Sequence, residues 1–498
     1  MPCITYAMPP ERPALPPETR QVLHEINPWW ADGRVRPEPP SYERAQVGMM
    51  LAALARPGAK AQALRGPRQV GKSTALLQIA RRLIGSGVPP REIFFIRFDL
   101  DILREIGGLM PLLRWYGQEI RKKSLDSSSS FYLLLDEVHK LDKWDEQVKH
   151  VFDTYHPRMV LTGSSSVLVA RGQRESLAGR ALTFELPPFL FRETLELTQE
   201  KRAEALPDKL GFLSLFDDWD GACAAFKELH RQPPQRLHRW RRQLDRYYNR
   251  GGYPDLHTGA VEEDRWADYL IETVFERVLG VDIPDLFPVD QPRLLRHIYM
   301  EVARRTGQEI AQKRLADEAN AAGYSTNQPT VGRYLHYLAD ALLIREFRRY
   351  PLARKASAKV PVKYTLSDLG VRNAIFRGAP SLWKSAPDVV GSLVETLVQT
   401  VIRGASLQAH FYRQLRDPAN PRSGFEEVDF IAERLDGRVL PIEVKFRRRI
   451  DAEDLSAIRR FMERHDARTG IVVTRETCDA LDDGRLLLVP LLDFLLAF

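Results

Sequence analysis

Residues 66–74 read Gly66-Pro67-Arg68-Gln69-Val70-Gly71-Lys72-Ser73-Thr74, which fits the pattern G-x-x-x-x-G-K-[ST]. Two glycines at this spacing let the backbone curve around a phosphate, and the following N–H groups and helix N-terminus point at it. Lys72 adds a positive charge to such a loop, and the Ser73 hydroxyl can hold Mg²⁺. We therefore interpret all nine residues as a site for ATP, with Lys72 also acting in catalysis and Ser73 as a metal ligand.

The segments around this loop have the pattern that a phosphate loop requires. Residues 61–64 suit a short strand, and residues 74–84 carry apolar side chains at helical spacing. Further along, residues 131–135 form a continuous apolar run, as expected of a strand that is covered on both faces. Strands that alternate with helices predict an α/β fold with a doubly wound parallel sheet.

The apolar run ends in two carboxylates, Asp136 and Glu137. Such a strand brings both to the sheet edge where the phosphate loop lies, so we expect Asp136 to bind Mg²⁺ and Glu137 to be the general base for the attacking water. The next predicted strand ends in small polar residues. We assign Ser164 to sensing the γ-phosphate, with Thr162 and Ser165 as rivals and a simple helix cap as the alternative.

Two arginines downstream are candidates for stabilising the transition state. The charge on a transferred phosphoryl group is usually met by an arginine, often one from a neighbouring subunit. Arg180 is the first candidate and Arg171 the second. The alternative for either residue is an ordinary ion pair with a surface carboxylate. An arginine that acts in trans would make the active form a homo-oligomer.

Composition limits the class of protein. A length of 498 residues predicts roughly two to four domains. The formal charge of +7 permits an acidic partner but does not require one in so long a chain. Cys3, Cys223 and Cys478 are isolated, which is typical of the reducing cytoplasm. The N-terminus does not resemble a signal peptide, and residues 486–498 are too few to cross a membrane, so we expect no membrane partner.

A helix-turn-helix pattern occupies the middle of the second half of the chain. Residues 313–322 and 327–343 are predicted helices separated by a turn. One face of the second helix is apolar, which leaves three polar side chains pointing outward, Thr330, Arg333 and His336. Such a helix can enter the major groove of DNA, although an ATPase lid or a protein contact is an equal alternative. The basic segment 230–242 is interpreted either as a solvated helix surface or as a contact for a phosphate backbone.

A second set of charged residues lies near the C-terminus. Glu443 and Lys445 flank Val444 on a predicted strand, so their side chains share a face. Asp429 lies on the preceding strand and Glu395 on an upstream helix. Asp429 and Glu443 can hold Mg²⁺ with Glu395 completing the metal shell, while Lys445 orients a water or stabilises developing charge. The alternative is the ordinary alternation of charged and apolar residues on an edge strand.

Two family resemblances accompany these motifs. The segments GPRQVGKST, DEVHKLDKW, LTGSSS, LAGR and GGYP together resemble the prokaryotic, archaeal-type AAA+ ATPases that carry a C-terminal domain of unknown function. The E-x-K strand with Asp429 before it resembles the PD-(D/E)xK nuclease superfamily. These resemblances imply an AAA+ P-loop sheet, a winged-helix region and a small α/β nuclease-like domain. Domains of the last kind either cut nucleic acid or only bind it.

We divide the chain into an N-terminal arm (1–40) anchored by Asn27-Pro28-Trp29-Trp30, an AAA+ core (41–195), a basic helical connection (196–290), a winged-helix or lid region (291–355) and a nuclease-like domain (356–498). The first hypothesis is a cytoplasmic ATPase that uses Mg²⁺ and drives or gates a C-terminal domain that binds DNA. In its stronger form that domain also cleaves DNA, in genome maintenance or defence. The second hypothesis is a nucleotide-dependent switch or scaffold whose C-terminal domains bind protein partners.

Overall fold

A computed structural model describes residues 15–125, 131–164, 179–199, 206–351, 362–404, 407–416, 419–420 and 424–498. The chain divides into two compact units. The first unit contains residues 1–66 and 71–186, and the second contains residues 67–70 and 187–498.

The first unit is built on a five-stranded sheet. Its strands are β1 (Ala61–Gly66), β2 (Ile93–Arg97), β3 (Tyr132–Asp136), β4 (Arg158–Ser164) and β5 (Ala181–Glu185). The spatial order is β2-β3-β4-β1-β5, and every neighbouring pair is parallel. This sheet confirms the predicted α/β P-loop fold. Because all strands run the same way, the loop after β1 and the carboxylates at the end of β3 lie at one edge.

Helices connect these strands. They are α1 (Pro17–Ile26), α2 (Trp29–Asp32), α3 (Ala45–Leu54), α4 (Lys72–Gly85), α5 (Asp101–Arg104), α6 (Leu109–Trp115) and α7 (Trp144–Tyr155), with short 3₁₀ turns at Pro90–Glu92 and Val138–Lys140 and a π-helical turn at Tyr116–Arg121.

The N-terminal arm covers the edge strand β2. The Asn27 side-chain amide donates to the Phe95 carbonyl at 2.9 Å and accepts from the Phe95 N–H at 2.8 Å. Both indole N–H groups of Trp29 and Trp30 donate to the Ile93 carbonyl. An exposed strand edge is a template for unwanted pairing, so these contacts protect it. The predicted anchor at residues 27–30 therefore lies on the sheet as expected.

The second unit contains a nine-stranded mixed sheet. Its strands are β6 (Gln308–Ile310), β7 (Ile344–Arg349), β8 (Val362–Leu366), β9 (Gln408–Leu415), β10 (Phe425–Glu433), β11 (Val439–Lys445), β12 (Gly470–Thr474), β13 (Asp479–Leu481) and β14 (Leu486–Pro490), in the order β13-β14-β12-β11-β10-β9-β7-β8-β6. The sheet has two parts, one formed by β6, β7 and β8 and the other by β9 to β14. Parallel pairing of β7 with β9, at Arg348 and His410, joins these two parts. The sheet thus crosses the predicted boundary at residue 355 without a break.

The helices of the second unit are α8 (Phe191–Gln199), α9 (Ser214–Asp217), α10 (Trp219–His230), α11 (Pro234–Arg250), α12 (Asp255–Thr258), α13 (Trp266–Leu270), α14 (Pro292–Arg304), α15 (Gln312–Ala321), α16 (Gln328–Asp340), α17 (Leu369–Ile375), α18 (Pro387–Gly404), α19 (Ser456–Arg464) and α20 (Leu491–Ala497), with π-helical turns at Ile271–Glu276 and Val278–Asp282. Apolar residues of α18 and α20 join β10 and β11 in one core, and α19 joins β10 and β12 in another. Within the described ranges, none of the helices combines the length and apolar character that a membrane crossing needs.

Candidate functional site

The loop between β1 and α4 contains two residues with left-handed backbone. Gln69 and Gly71 both have φ in the left-handed region, at 63° and 89°. Lys72 is buried at the start of α4, where its ammonium donates to the Gly66 carbonyl at 3.1 Å. The charge of Lys72 is therefore already held beside the loop, and Ser73 and Thr74 follow it in the first turn of α4.

Four residues of the loop, Pro67 to Val70, belong to the second unit. Val70 is buried, and Arg68 donates from Nη1 to Asp282 Oδ1 of the same unit at 3.0 Å. An arginine that is already paired has less freedom to contact a phosphate. Nucleotide binding by the Arg68 side chain stays a prediction.

Thr162 connects the two carboxylates at the end of β3. Its hydroxyl donates to Asp136 Oδ1 and accepts from the Glu137 N–H at 3.1 Å. The contact follows from the register of the sheet, in which Leu135 of β3 pairs with Leu161 of β4. Burial raises the pKa of Asp136, whereas hydrogen bonds from Ser73 and Thr162 lower it. Ser73 and Asp136, the two predicted magnesium ligands, are thus already in contact.

Glu137 has an unusual backbone conformation for a residue with a side chain. Its φ of 50° is in the left-handed region, which costs on the order of 1 kcal/mol or more outside glycine. His139 Nδ1 lies 3.4 Å from Glu137 Oε2. Strained backbone of this kind concentrates at functional sites, and it fits the role expected of Glu137.

The choice of Ser164 among its rivals is not decided by these contacts. Ser164 is the last residue of β4, and its side chain, like all of Ser165, is outside the described residues. Thr162, the rival two positions earlier, is fully buried and touches Asp136. Thr162 is therefore placed to contact both acids at this edge of the sheet.

Replacing Thr162 by valine is expected to slow ATP turnover by about tenfold to a hundredfold while nucleotide affinity stays near wild type. The physical reason is the loss of a hydrogen bond to a charged group that orients both acids, worth about 1.5–3 kcal/mol. Phosphate release and binding of a fluorescent nucleotide would measure the two effects. Thr154→Val, on the exposed side of α7, is the matched control. Unchanged turnover in Thr162→Val would contradict this role.

Arg180 is far from the phosphate loop of its own chain. It directly precedes β5, whose first residue pairs with Ala61 at the start of β1. The loop follows the other end of β1, so at about 3.3 Å per residue the two are roughly 20 Å apart. Arg180 Nε donates to Asp153 Oδ1 at 2.7 Å, an exposed ion pair. Arg180 therefore cannot reach its own loop; Arg171, the second candidate, is outside the described residues.

The predicted C-terminal residues meet in a cavity of about 640 Å³, lined among others by Glu395, Asp429, Glu443 and Lys445. The Asp429 N–H donates to Glu443 Oε2 at 3.2 Å, and Asp429 Oδ2 accepts from the Val444 N–H at 2.8 Å. The Lys445 ammonium donates to Glu443 Oε1, so these two side chains share a face as predicted. We call this cavity the carboxylate pocket.

The carboxylate pocket also contains Lys363, which sequence analysis missed. Its ammonium lies 2.8 Å from Glu395 Oε2, 3.5 Å from Asp429 Oδ1 and 3.6 Å from Glu427 Oε1. The segment Val362–Leu366 is apolar apart from this lysine and a threonine. A lone lysine in such a strand was the sequence signal that could have identified it as a candidate site residue.

Burial governs the protonation of the carboxylate pocket. It raises the pKa of Glu443 to about 8 and that of Glu395 to about 7, with the Asp429 carboxylate adding to both shifts. Burial lowers the pKa of Lys363, but Glu395, Asp429 and Glu427 outweigh it and raise that pKa overall. Lys363 therefore stays charged at neutral pH and neutralises part of the carboxylate cluster.

The carboxylates of this pocket do not fit the predicted metal site as they stand. Among the described residues, no group of three or more histidine, cysteine, aspartate or glutamate side chains is arranged to hold a metal ion. The Lys363 ammonium lies between Glu395 and Asp429 instead. Metal binding by Glu395, Asp429 and Glu443 stays a prediction.

Part of the basic segment 230–242 is paired within the second unit. His230 Nδ1 lies 2.9 Å from Asp493, and Arg241 lies 3.8 Å from Glu476. The Arg236 guanidinium stacks over Trp240 at 4.8 Å. These contacts favour a solvated helix surface over a contact for a phosphate backbone.

Three regions of the chain match known domain families. Residues 58–195 match an AAA domain, residues 241–381 a domain of unknown function (DUF8612) and residues 390–494 another domain of unknown function (DUF4143). The first region contains β1 to β5 with the phosphate loop and both acids. The last region contains β9 to β14 and thus most of the carboxylate pocket.

Similar proteins include ones from Haemophilus influenzae, Methanocaldococcus jannaschii and Pyrococcus abyssi. An uncharacterized protein of Haemophilus influenzae is 21% identical over 384 residues, which cover 77% of this chain and 82% of that protein. An uncharacterized protein of Methanocaldococcus jannaschii, MJ1637, is 28% identical over 265 residues and covers about half of each chain. The Walker-type ATPase PABY2304 of Pyrococcus abyssi aligns over 69% of this chain and 99% of its own, with 16% identity and a TM-score of 0.42.

Proposed function

Since the chain combines an AAA P-loop domain with two C-terminal domains of unknown function, we propose that it hydrolyses ATP with Mg²⁺ and thereby drives or gates DNA binding by its C-terminal part. The observation that carries the ATPase proposal is the contact of Thr162 with both Asp136 and Glu137 at the edge where the phosphate loop lies. Mere nucleotide binding does not need a second carboxylate held in this way.

Each residue of this edge has a distinct task in hydrolysis. Lys72 neutralises charge on the phosphates, and the loop N–H groups bind their oxygens. Ser73 and Asp136 supply the hydroxyl and carboxylate oxygens that would hold Mg²⁺, and the ion would neutralise charge on the phosphates. Glu137 accepts a proton from the attacking water, and Thr162 fixes its position through the Glu137 N–H.

The order of elements around α16 supports DNA binding. Helix α14, strand β6, helices α15 and α16, and the antiparallel strands β7 and β8 follow one another, with β6 pairing to β8. This is the order of a winged helix. Val331 and Tyr334 are buried on α16, whereas Arg333 and His336 are exposed. The exposed face is the one that would enter a major groove.

We expect Arg333→Ala to weaken DNA binding by about fivefold to a hundredfold, because one base or phosphate contact is worth about 1–3 kcal/mol. Gel-shift titration at fixed salt, with and without a non-hydrolysable ATP analogue, measures the change. Lys384→Ala is the control, since it removes an equally exposed cation that lies away from α16 in sequence. Absence of DNA binding by the wild-type chain would favour the switch or scaffold whose C-terminal domains bind proteins.

Two finer parts of the proposal concern assembly and cleavage. Arg180 is roughly 20 Å from its own loop, so a role for it in hydrolysis requires a second copy of the chain, in a homo-oligomer. Cleavage of DNA would use Asp429, Glu443 and Lys445 in the carboxylate pocket. These residues contact one another, and cutting by them would require a divalent metal in place of the Lys363 ammonium.

A further inference from the structure

Lys363 is a buried lysine with no part in ATP hydrolysis. It lies on β8, between β6 and β7, and only 2% of its surface is exposed. Burying an ionised lysine is costly unless carboxylates compensate for the lost water. Three carboxylates do so here, with Glu395 at 2.8 Å as the nearest. The ammonium is thus fixed inside the carboxylate pocket.

The two carboxylates expected to bind metal are already satisfied by internal donors. Asp429 Oδ1 faces the Lys363 ammonium at 3.5 Å, and Oδ2 accepts from the Val444 N–H at 2.8 Å. Glu443 Oε1 accepts from Lys445, and Oε2 accepts from the Asp429 N–H at 3.2 Å. Each of these four oxygens therefore already faces a donor, which is either an ammonium group or a backbone amide.

A divalent metal needs several such oxygens turned toward one point. In this pocket an ammonium group lies between Glu395 and Asp429, the residues that would have to turn toward a metal. We infer that Lys363 is the resident cation of the carboxylate pocket and takes the place of a divalent metal, so that this pocket does not support metal-dependent cleavage. The inference is independent of ATP hydrolysis, because it concerns contacts within the second unit alone.

The position of Lys363 in the sheet relates it to the strand that carries Asp429. β8 is joined through β7 to β9, and β9 pairs with β10, which carries Asp429. The cation therefore comes from β8, at the start of the region 356–498 that we predicted as nuclease-like, and the carboxylates come from later in the same region. One sheet carries both Lys363 and Asp429.

Counting bound Mn²⁺ tests this inference directly. The full chain, free of nucleotide, would be titrated with Mn²⁺ and the free ion followed by electron paramagnetic resonance. All proteins carry Asp136→Asn, which removes the carboxylate of the AAA domain from the count. We expect no Mn²⁺ bound at the pocket with Lys363 present, and a single Mn²⁺ per chain after Lys363→Met. Adding Asp429→Asn to Lys363→Met should abolish that gain.

Lys363→Arg is the matched control, because it keeps the positive charge and should bind no Mn²⁺. Pocket-bound Mn²⁺ in the protein with Lys363, lost on Asp429→Asn, would overturn the inference. So would a folded Lys363→Met protein, judged by its melting curve, that binds no Mn²⁺. If Lys363→Met does not fold, the protein that retains Lys363 tests the inference alone. Its bound Mn²⁺ is then counted with and without Asp429→Asn.

Plasmid cleavage supplies a second readout on the chain with its AAA domain intact. With Mg²⁺ and ATP present, we expect no nicking by the wild-type chain and no difference after Glu443→Ala or Lys445→Ala. Nicking that disappears in either variant would also overturn the inference. Failure of ATP hydrolysis would leave the Mn²⁺ count unaffected, so the two proposals fail separately.

Discussion

Lys72→Ala is expected to abolish nucleotide binding, whereas Glu137→Gln is expected to bind nucleotide normally and hydrolyse it at least about a hundredfold more slowly. The two residues act at different steps. Lys72 provides the charge that holds the phosphates, so its loss removes binding. Glu137 takes the proton from water, and general-base catalysis typically contributes about a hundredfold to ten-thousandfold.

The measurement pairs two assays on the same proteins. Binding of a fluorescent ATP analogue reports the first step, and phosphate release reports the second. Glu119→Gln is a charge-matched control on the surface of the first unit, and it should behave as wild type in both. Equal turnover in wild type and Glu137→Gln would exclude Glu137 as the general base.

The AAA site was largely predictable because its signals are local. The phosphate loop is a contiguous motif. The continuous apolar residues before Asp136 predict a buried strand. The contact between Asp136 and Thr162 was not predictable in the same way. It depends on the register of β3 against β4, which a single sequence does not specify. The choice of Ser164 over Thr162 stays a prediction.

The carboxylate pocket was predictable only in part. Glu443 and Lys445 share a face because strand side chains alternate, and this holds whatever the rest of the fold does. Lys363 reaches the same pocket through the pairing of β7 with β9, a long-range contact between segments that are distant in sequence. A single sequence does not specify such a contact, so the place of Lys363 beside these carboxylates was missed.

The GGYP segment, one of the motifs behind the family resemblance, has a structural explanation in the second unit. Asp368 accepts from the Gly252 N–H at 2.7 Å and from the Gly370 N–H at 2.7 Å. The Gly252 carbonyl accepts from the Phe189 N–H at 2.7 Å. The pKa of Asp368 is raised to about 6, because the effect of burial outweighs the opposing effect of these N–H groups. The motif thus joins three distant segments through one backbone hydrogen bond and the Asp368 carboxylate.

Gly252→Ala is therefore expected to destabilise the second unit by about 3 kcal/mol or more. A Cβ at this position would overlap the Phe189 carbonyl oxygen and lie 2.9 Å from the Phe189 nitrogen. Both are backbone atoms, so no side-chain rotation can relieve the overlap and the backbone itself must shift. The main melting transition should fall by at least about 5 °C.

Gly391→Ala is the matched control for this substitution. Gly391 lies within α18, has no heavy atom near an added Cβ, and should tolerate alanine or gain up to about 1 kcal/mol. An unchanged melting temperature in Gly252→Ala would mean that Phe189 and Gly252 separate at little cost. In that case packing against Phe189 would not explain why position 252 is a glycine.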